Sequence, residues 1–193
     1  MALSAPSRAA LLNLARSVIR LRLGEERAEP PAPTDGELLQ PAGSFVSLHE
    51  LASHRLRGCV GRLDATVSLW ESVRQTAVSV LRDPRFTSNP VTRIELPHLS
   101  IEISVISPLR ACSAAAFDLL NDGIYITFRD RSGCFLPQVA RETGWTREQL
   151  LHRLCTEKLG LPGETWRHPE ARFFAFPVEQ IGPELFESAS QLP

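Results

Sequence analysis

From Leu99 to Ile106 the chain alternates strictly: Leu99, Ile101, Ile103 and Val105 are apolar, and Ser100, Glu102 and Ser104 between them are polar. A period of two sends successive side chains to opposite faces of a strand. One face must therefore meet a core, and the other is left polar, for solvent or for a cleft. That rule constrains the whole chain, because other segments obey it while being separated by helical patterns in no fixed order. Ser44 to Leu48 carries branched and aromatic residues suited to a strand. Ile124, Ile126 and Phe128 alternate within 123–128, Asp130-Arg131-Ser132-Gly133 reads as a turn, and Cys134, Phe135 and Leu136 open the return strand of a hairpin. Arg172 to Val178, with FFAF at its centre, is a last strand.

Helical periods fill the gaps. Over Ser7 to Leu23, Leu11, Leu14, Val18 and Leu21 form one apolar row, with Leu12, Ala15, Ile19 and Leu23 beside it. This wide face packs on a core more readily than it serves as a basic targeting peptide. Ser68 with Glu71 predicts a capped helix, buried through Leu69, Trp70, Val73, Ala77, Val80 and Leu81, and ended by Asp83-Pro84. Pro137 begins a short helix that Gly144 closes, and Thr146 with Gln149 caps another that Gly160 terminates. Irregular interspersion favours an α+β fold, a single domain over 1–193 with a mixed, largely antiparallel sheet flanked by helices. The proline-rich segment near 28–43 is expected to be a surface connection without regular structure.

Composition removes several function classes. The chain has 21 basic and 22 acidic residues, a net charge of −1, without the basic surplus of a nucleic-acid binder. No apolar run approaches the roughly 20 residues of a membrane helix. The four cysteines, Cys59, Cys112, Cys134 and Cys155, form no C-x-x-C pair, so no metal and no cofactor is expected. With no visible export signal they point to a reducing cytoplasm. The histidines stand at no metal-motif spacing, and His54 is the one close in sequence to a cysteine. A phosphate loop, a dinucleotide fingerprint and a nucleophile elbow are all missing.

The most unusual segment is LRGCVG, Leu56 to Gly61. Gly58 and Gly61 allow positive φ or close backbone approach. Arg57 puts a cation near Cys59, and a cation raises the thiolate fraction of a thiol. The local chemistry of Cys59 is thus compatible with a nucleophile, a metal ligand or a redox thiol, while a single cysteine between glycines in a strand is more often a small buried apolar residue. Glu102, on the polar strand face, is a candidate general acid or base. Arg85, after Asp83-Pro84, can pin a loop or contact a ligand. Gln138, at a helix start, is a candidate anion contact.

Taken in order, FVSL, LRGCVG, the Leu69-Trp70-Glu71 helix, DPRF, ISV, LPQVA, a GW pair and a terminal FxF resemble the AMMECR domain family, also called AmmeMemoRadiSam system protein A. The resemblance covers nearly the whole chain. It implies an α+β fold with a small subdomain against a larger one. It also implies a functional centre at the LRGC segment, here Leu56, Arg57, Gly58 and Cys59, and a pathway shared with Memo-type and radical-SAM proteins. Arg62 and Cys134 depart from the family pattern. Arg62 would change ligand access, and Cys134 would offer Cys59 a redox neighbour if the two were close. Two functions are compatible with these residues. One is an enzyme or enzyme component with a cysteine-centred cleft. The other is a non-catalytic module that binds a small molecule, peptide or protein in the same groove.

Overall fold

The computed structural model describes residues 2–34 and 36–186. The fold is α+β, and its strand pairs are antiparallel. Two compact units share the chain: Met1–Ile106 with Glu179–Pro193, and Ser107–Val178.

In the first unit, helix α1 (Ala5–Arg22) starts two residues before the expected position because Ser4 caps it, accepting from the Ser7 N–H. A short helix α2 (Gly36–Leu39) interrupts the proline-rich connection, which was expected to hold no regular structure; it buries Leu38 in the core. Strand β1 (Gly43–Glu50) runs two residues further than its sequence signal, and β2 (Leu56–Arg62) pairs with it. Helix α3 (Leu69–Val80) begins at its Ser68 cap. Strand β3 (Leu99–Ile106) pairs on the other side of β1. Leu11, Leu14 and Val18 of α1, Val73, Ala77 and Val80 of α3, and Val46, Leu48, Ile101 and Ile103 of the sheet form one core. The α1 face is therefore a docking face.

The second unit contains β4 (Arg110–Cys112), β5 (Asp122–Phe128), β6 (Arg131–Phe135), α4 (Pro137–Thr143) and α5 (Arg147–Arg153). A π-helical turn, Leu154–Leu159, prolongs α5 and ends at Gly160 in the left-handed region. The hairpin turn is Arg129-Asp130, one position earlier than expected, with Arg129 at φ 55°. Positive φ at a turn residue lets a two-residue loop follow the twist of its strands, so Arg131 to Gly133 join β6. The core gathers Phe117, Ile124, Ile126, Phe128, Leu150, Leu151 and Leu154.

Strand β7 (Arg172–Leu185) is longer than FFAF suggests. Its first half lies between β4 and β5 of the second unit. Its second half closes the first unit's sheet, in the order β2-β1-β3-β7. β2 is thus an edge strand.

Candidate functional site

Strand register decides which side chains share a face. Cys59 is opposite Ser47, and Ser47 is opposite Glu102, so these three form one rung across β2, β1 and β3. The neighbouring rung is Gly61, Phe45 and Ser104. The opposite face carries Val46, Leu48, Ile101 and Ile103, all fully buried in the core. Cys59 therefore stands on the non-core face, half-buried, with Ser47 and Glu102 beside it.

Of the two alternatives the alternation of β3 leaves, solvent or a cleft, this face is not the solvated one. Glu102 is 7% exposed and Ser104 1%. Glu102 accepts a hydrogen bond from the Gln180 amide of β7, so the buried carboxylate has a partner, as burial demands.

The two glycines act through close approach, since neither has positive φ. Gly58 faces α3: a Cβ there would lie 3.1 Å from both Cγ2 and the carbonyl oxygen of Val80. Gly61 lies under Phe45, and a Cβ there would be 2.2 Å from the ring. Phe45 is half-buried and so presents part of an aromatic surface on the rung next to Cys59.

Arg57 is the residue that breaks the register. Leu48 pairs with Gly58 and His49 with Leu56, which leaves Arg57 as the extra residue of a β-bulge. Bulges re-aim side chains, and this one turns Arg57 inward to 4% exposure. Its Nε donates to Glu95 Oε2 at 2.8 Å and its Nη2 to Oε1 at 3.3 Å. Nη1 is buried and has no hydrogen-bond acceptor among the described residues. Burial raises the pKa of Glu95, but hydrogen bonds from Arg57 and Thr92 outweigh it and hold the carboxyl below its ordinary value.

The loop after α3 supplies the rest. Asp83 is 3% exposed, and its Oδ2 accepts from the Cys59 backbone N–H at 2.9 Å. Arg85 binds Asp83 side-on, Nε to Oδ1 at 3.0 Å and Nη2 to Oδ2 at 2.6 Å. Nη2 also donates to the Cys59 carbonyl at 3.0 Å. Cys59 thus directs both backbone groups to the open edge of the sheet, where Asp83 and Arg85 replace a neighbouring strand. Its pair with Ser47 is consequently of the non-hydrogen-bonded kind, in which side chains stand closer. Burial pushes the Asp83 carboxyl up, yet the Arg85 and backbone hydrogen bonds prevail and its pKa is lowered. The Arg85 pKa is raised, chiefly by its hydrogen bond to Asp83 and further by the Asp83 charge, against the cost of burial. The Arg57 and Arg85 guanidiniums lie 5.5 Å and 5.7 Å from the centre of the Phe86 ring, which is itself half-exposed.

The structure gathers Cys59, Arg57, Gly58, Gly61, Arg85 and Glu102 in the first unit. Gln138 belongs to α4 of the second unit, as Cys134 belongs to its β6. Arg62 alternates to the α3 side and is tied to Gln75 at 2.7 Å. His54 is exposed in the β1–β2 turn at φ 56°. The sequence signal missed Ser47, Glu95 and Phe45, whose positions depend on register, and the role of Asp83 as a backbone acceptor. Among the described residues no group of three or more His, Cys, Asp or Glu side chains could hold a metal ion. No helix among them is long and apolar enough to cross a membrane. The second unit carries an open groove of about 630 Å³ lined by Trp145, His152, Trp166 and their neighbours. Arg167 crosses it to Glu148 at 3.5 Å.

One solved structure and several sequence relatives are similar to this chain. A crystal structure of an uncharacterized protein, PH0010 from Pyrococcus horikoshii, superimposes with a TM-score of 0.80, at 31% identity, over 88% of each chain. A protein of Thermococcus gammatolerans is 33% identical over 180 residues, covering 88% of this chain and 86% of its own length. One of Methanococcus aeolicus is 34% identical over 154 residues, 76% and 75% of the two chains. The AMMECR1 family model matches residues 12–181, a span that contains every residue of the Cys59 site, so this chain belongs to the AMMECR1 family.

Proposed function

We propose that Cys59 is the reactive centre of a cytoplasmic enzyme or enzyme component that acts on a small molecule or peptide, with Memo-type and radical-SAM proteins as partners. One observation carries this reading: a half-buried cysteine is held by both of its backbone groups, through a buried aspartate and the arginine paired to it. The same clamp covers the open edge of β2, and it also fixes the position of the thiol. A reactive one gains orientation from it, and Arg85 favours the thiolate. Glu102, on the same rung, is the candidate proton donor or acceptor. The half-buried rings of Phe45 and Phe86 favour a second reading, a non-catalytic module that binds its ligand over the same face.

Iodoacetamide labelling of the native protein, followed by mass spectrometry, separates the two. A reactive centre labels at Cys59 faster than at Cys112, Cys134 or Cys155, and faster than N-acetylcysteine at the same pH. If Cys59 reacts no faster than N-acetylcysteine, and Cys59→Ser keeps the ligands that the wild type retains, the binding module is the better description. Co-expression with Memo-type and radical-SAM proteins of one genome tests the partners. Loss of a shared product with Cys59→Ser supports the pathway, and an unchanged product overturns it.

A further inference from the structure

A guanidinium has five N–H groups. Three of those on Arg85 are engaged, one on Nε and two on Nη2, by Asp83 and the Cys59 carbonyl. The two on Nη1 have no acceptor among the described residues, and the side chain is 49% exposed. The side-on edge of the guanidinium faces Asp83. The end-on edge, where Nη1 lies beside Nη2, is turned toward the Cys59 carbonyl. A rigid, half-exposed donor edge is thereby fixed beside the Cys59 main chain.

A second observation concerns Arg57. Its Nη1 is buried and lacks an acceptor, in a side chain only 5% exposed that lies against the same Phe86 ring. Two guanidiniums with unused donors therefore lie near one aromatic ring. Asp83 and Glu95 balance their charges one for one. Such a site suits a ligand with a single negative charge and planar acceptors, not a dianion, whose second charge would face the two carboxylates.

We propose that the substrate or ligand of Cys59 carries a carboxylate, docked on the Nη1 edge of Arg85 so that its neighbouring carbon lies over the thiol. The proposal rests on the reading of Cys59 as a reactive centre and adds the chemical class it recognises. Recognition comes from Arg85, and Asp83 keeps that guanidinium from swinging away.

The test uses two alkylating agents of the same size. Iodoacetate carries a carboxylate and iodoacetamide does not. Dividing their rate constants at Cys59 cancels the thiolate fraction, and N-acetylcysteine in the same buffer gives the intrinsic ratio. The iodoacetate preference at Cys59 is expected to exceed that reference by about three- to tenfold, the range for one charge-assisted hydrogen bond at a half-exposed side chain. It should fall to the reference in Arg85→Gln and survive in part in Arg85→Lys, which keeps the charge. Added acetate should suppress the preference at lower concentration than phosphate at matched ionic strength.

The wild-type ratio needs no variant to fold. If it equals the reference while iodoacetamide labels Cys59 rapidly, the carboxylate site is wrong and the reactive centre stands. A preference that persists in folded Arg85→Gln removes Arg85 from recognition. Stronger suppression by phosphate overturns the carboxylate assignment. Resistance of Cys59 to both reagents overturns the reactive centre and this proposal together.

Discussion

At the scale of single residues, the two glycines of LRGCVG do different work, and the difference is measurable. Gly61 has Phe45 where a Cβ would go, with the Ser44 carbonyl oxygen 2.5 Å away on the backbone side. The Val80 atoms facing Gly58 are 3.1 Å from its notional Cβ, close enough to give by a few tenths of an ångström. Gly61→Ala should therefore destabilise by about 2–3 kcal/mol, the upper part of the range for overpacking, and Gly58→Ala by about 1 kcal/mol. Urea unfolding of both variants checks the order, and an indifferent Gly61→Ala would contradict the placement of Phe45. Cys59→Ser should shift Tm by no more than a few degrees, since a change under about 1 kcal/mol moves it little. A large loss would mark Cys59 as a packed core thiol. The sequence identifies Gly58, Cys59 and Gly61 as a set, but the choice between positive φ and close approach depends on which residues lie across the strand. Those residues are Phe45 and Val80, 16 positions before Gly61 and 22 after Gly58.

Among the elements, three helices were legible from their caps, since Ser68, Thr146, Gly144 and Gly160 stand where the sequence put them, whereas α2 and the Ser4 cap of α1 were not. Strand existence was legible too, from alternation. The bulge at Arg57 was not, because a one-residue slip shows only against a partner strand. Nor was the burial of Glu102, since alternation separates two faces without saying what covers the second. The Asp83-Pro84-Arg85 segment was read as a pinned loop, and it is one. Its larger role is to complete the exposed edge of β2, and edge strands need such cover. Asp83→Ala removes the acceptor of the Cys59 N–H and the counter-ion of Arg85 at once. The expected loss is about 1–3 kcal/mol, the cost of a buried donor left unsatisfied, since the half-exposed Arg85 recovers water. Asp83→Asn keeps an acceptor for the N–H and should lose less. Urea denaturation of the two variants gives the comparison, and equal losses would show that the charge is immaterial.

For the whole molecule, the two units place their carboxylates differently, and this predicts an unequal response to acid. In the first unit Asp83 and Glu95 have pKa values lowered by hydrogen bonds that overcome burial, and that of Glu71 is lowered first by its hydrogen bond from Arg74. A carboxyl with a lowered native pKa contributes stability above its unfolded value, about 4, and loses it as pH falls toward the native value. The unfolded chain binds these protons first, so acid favours unfolding. The consequence is greatest where the partner is buried. Protonating Glu95 strands the Arg57 charge, and protonating Asp83 releases Arg85 and weakens the hold on Cys59. In the second unit Asp118 alone has a lowered pKa among the carboxyls with a resolved shift, through the Asn121 amide and local backbone N–H groups, and it is exposed. Its core is aromatic and aliphatic, built on β5, α5 and the π-helical turn. Hydrogen exchange between pH 6 and pH 3, corrected for the intrinsic rate, should therefore show β2 and α3 losing protection at a higher pH than β5 and β6. Asp83→Asn should bring the first unit's acid limb closer to that of the second. Loss of protection in both units at one pH would mean that the lowered carboxyls do not govern acid stability, and the clamp around Cys59 would then hold through geometry without help from its charges.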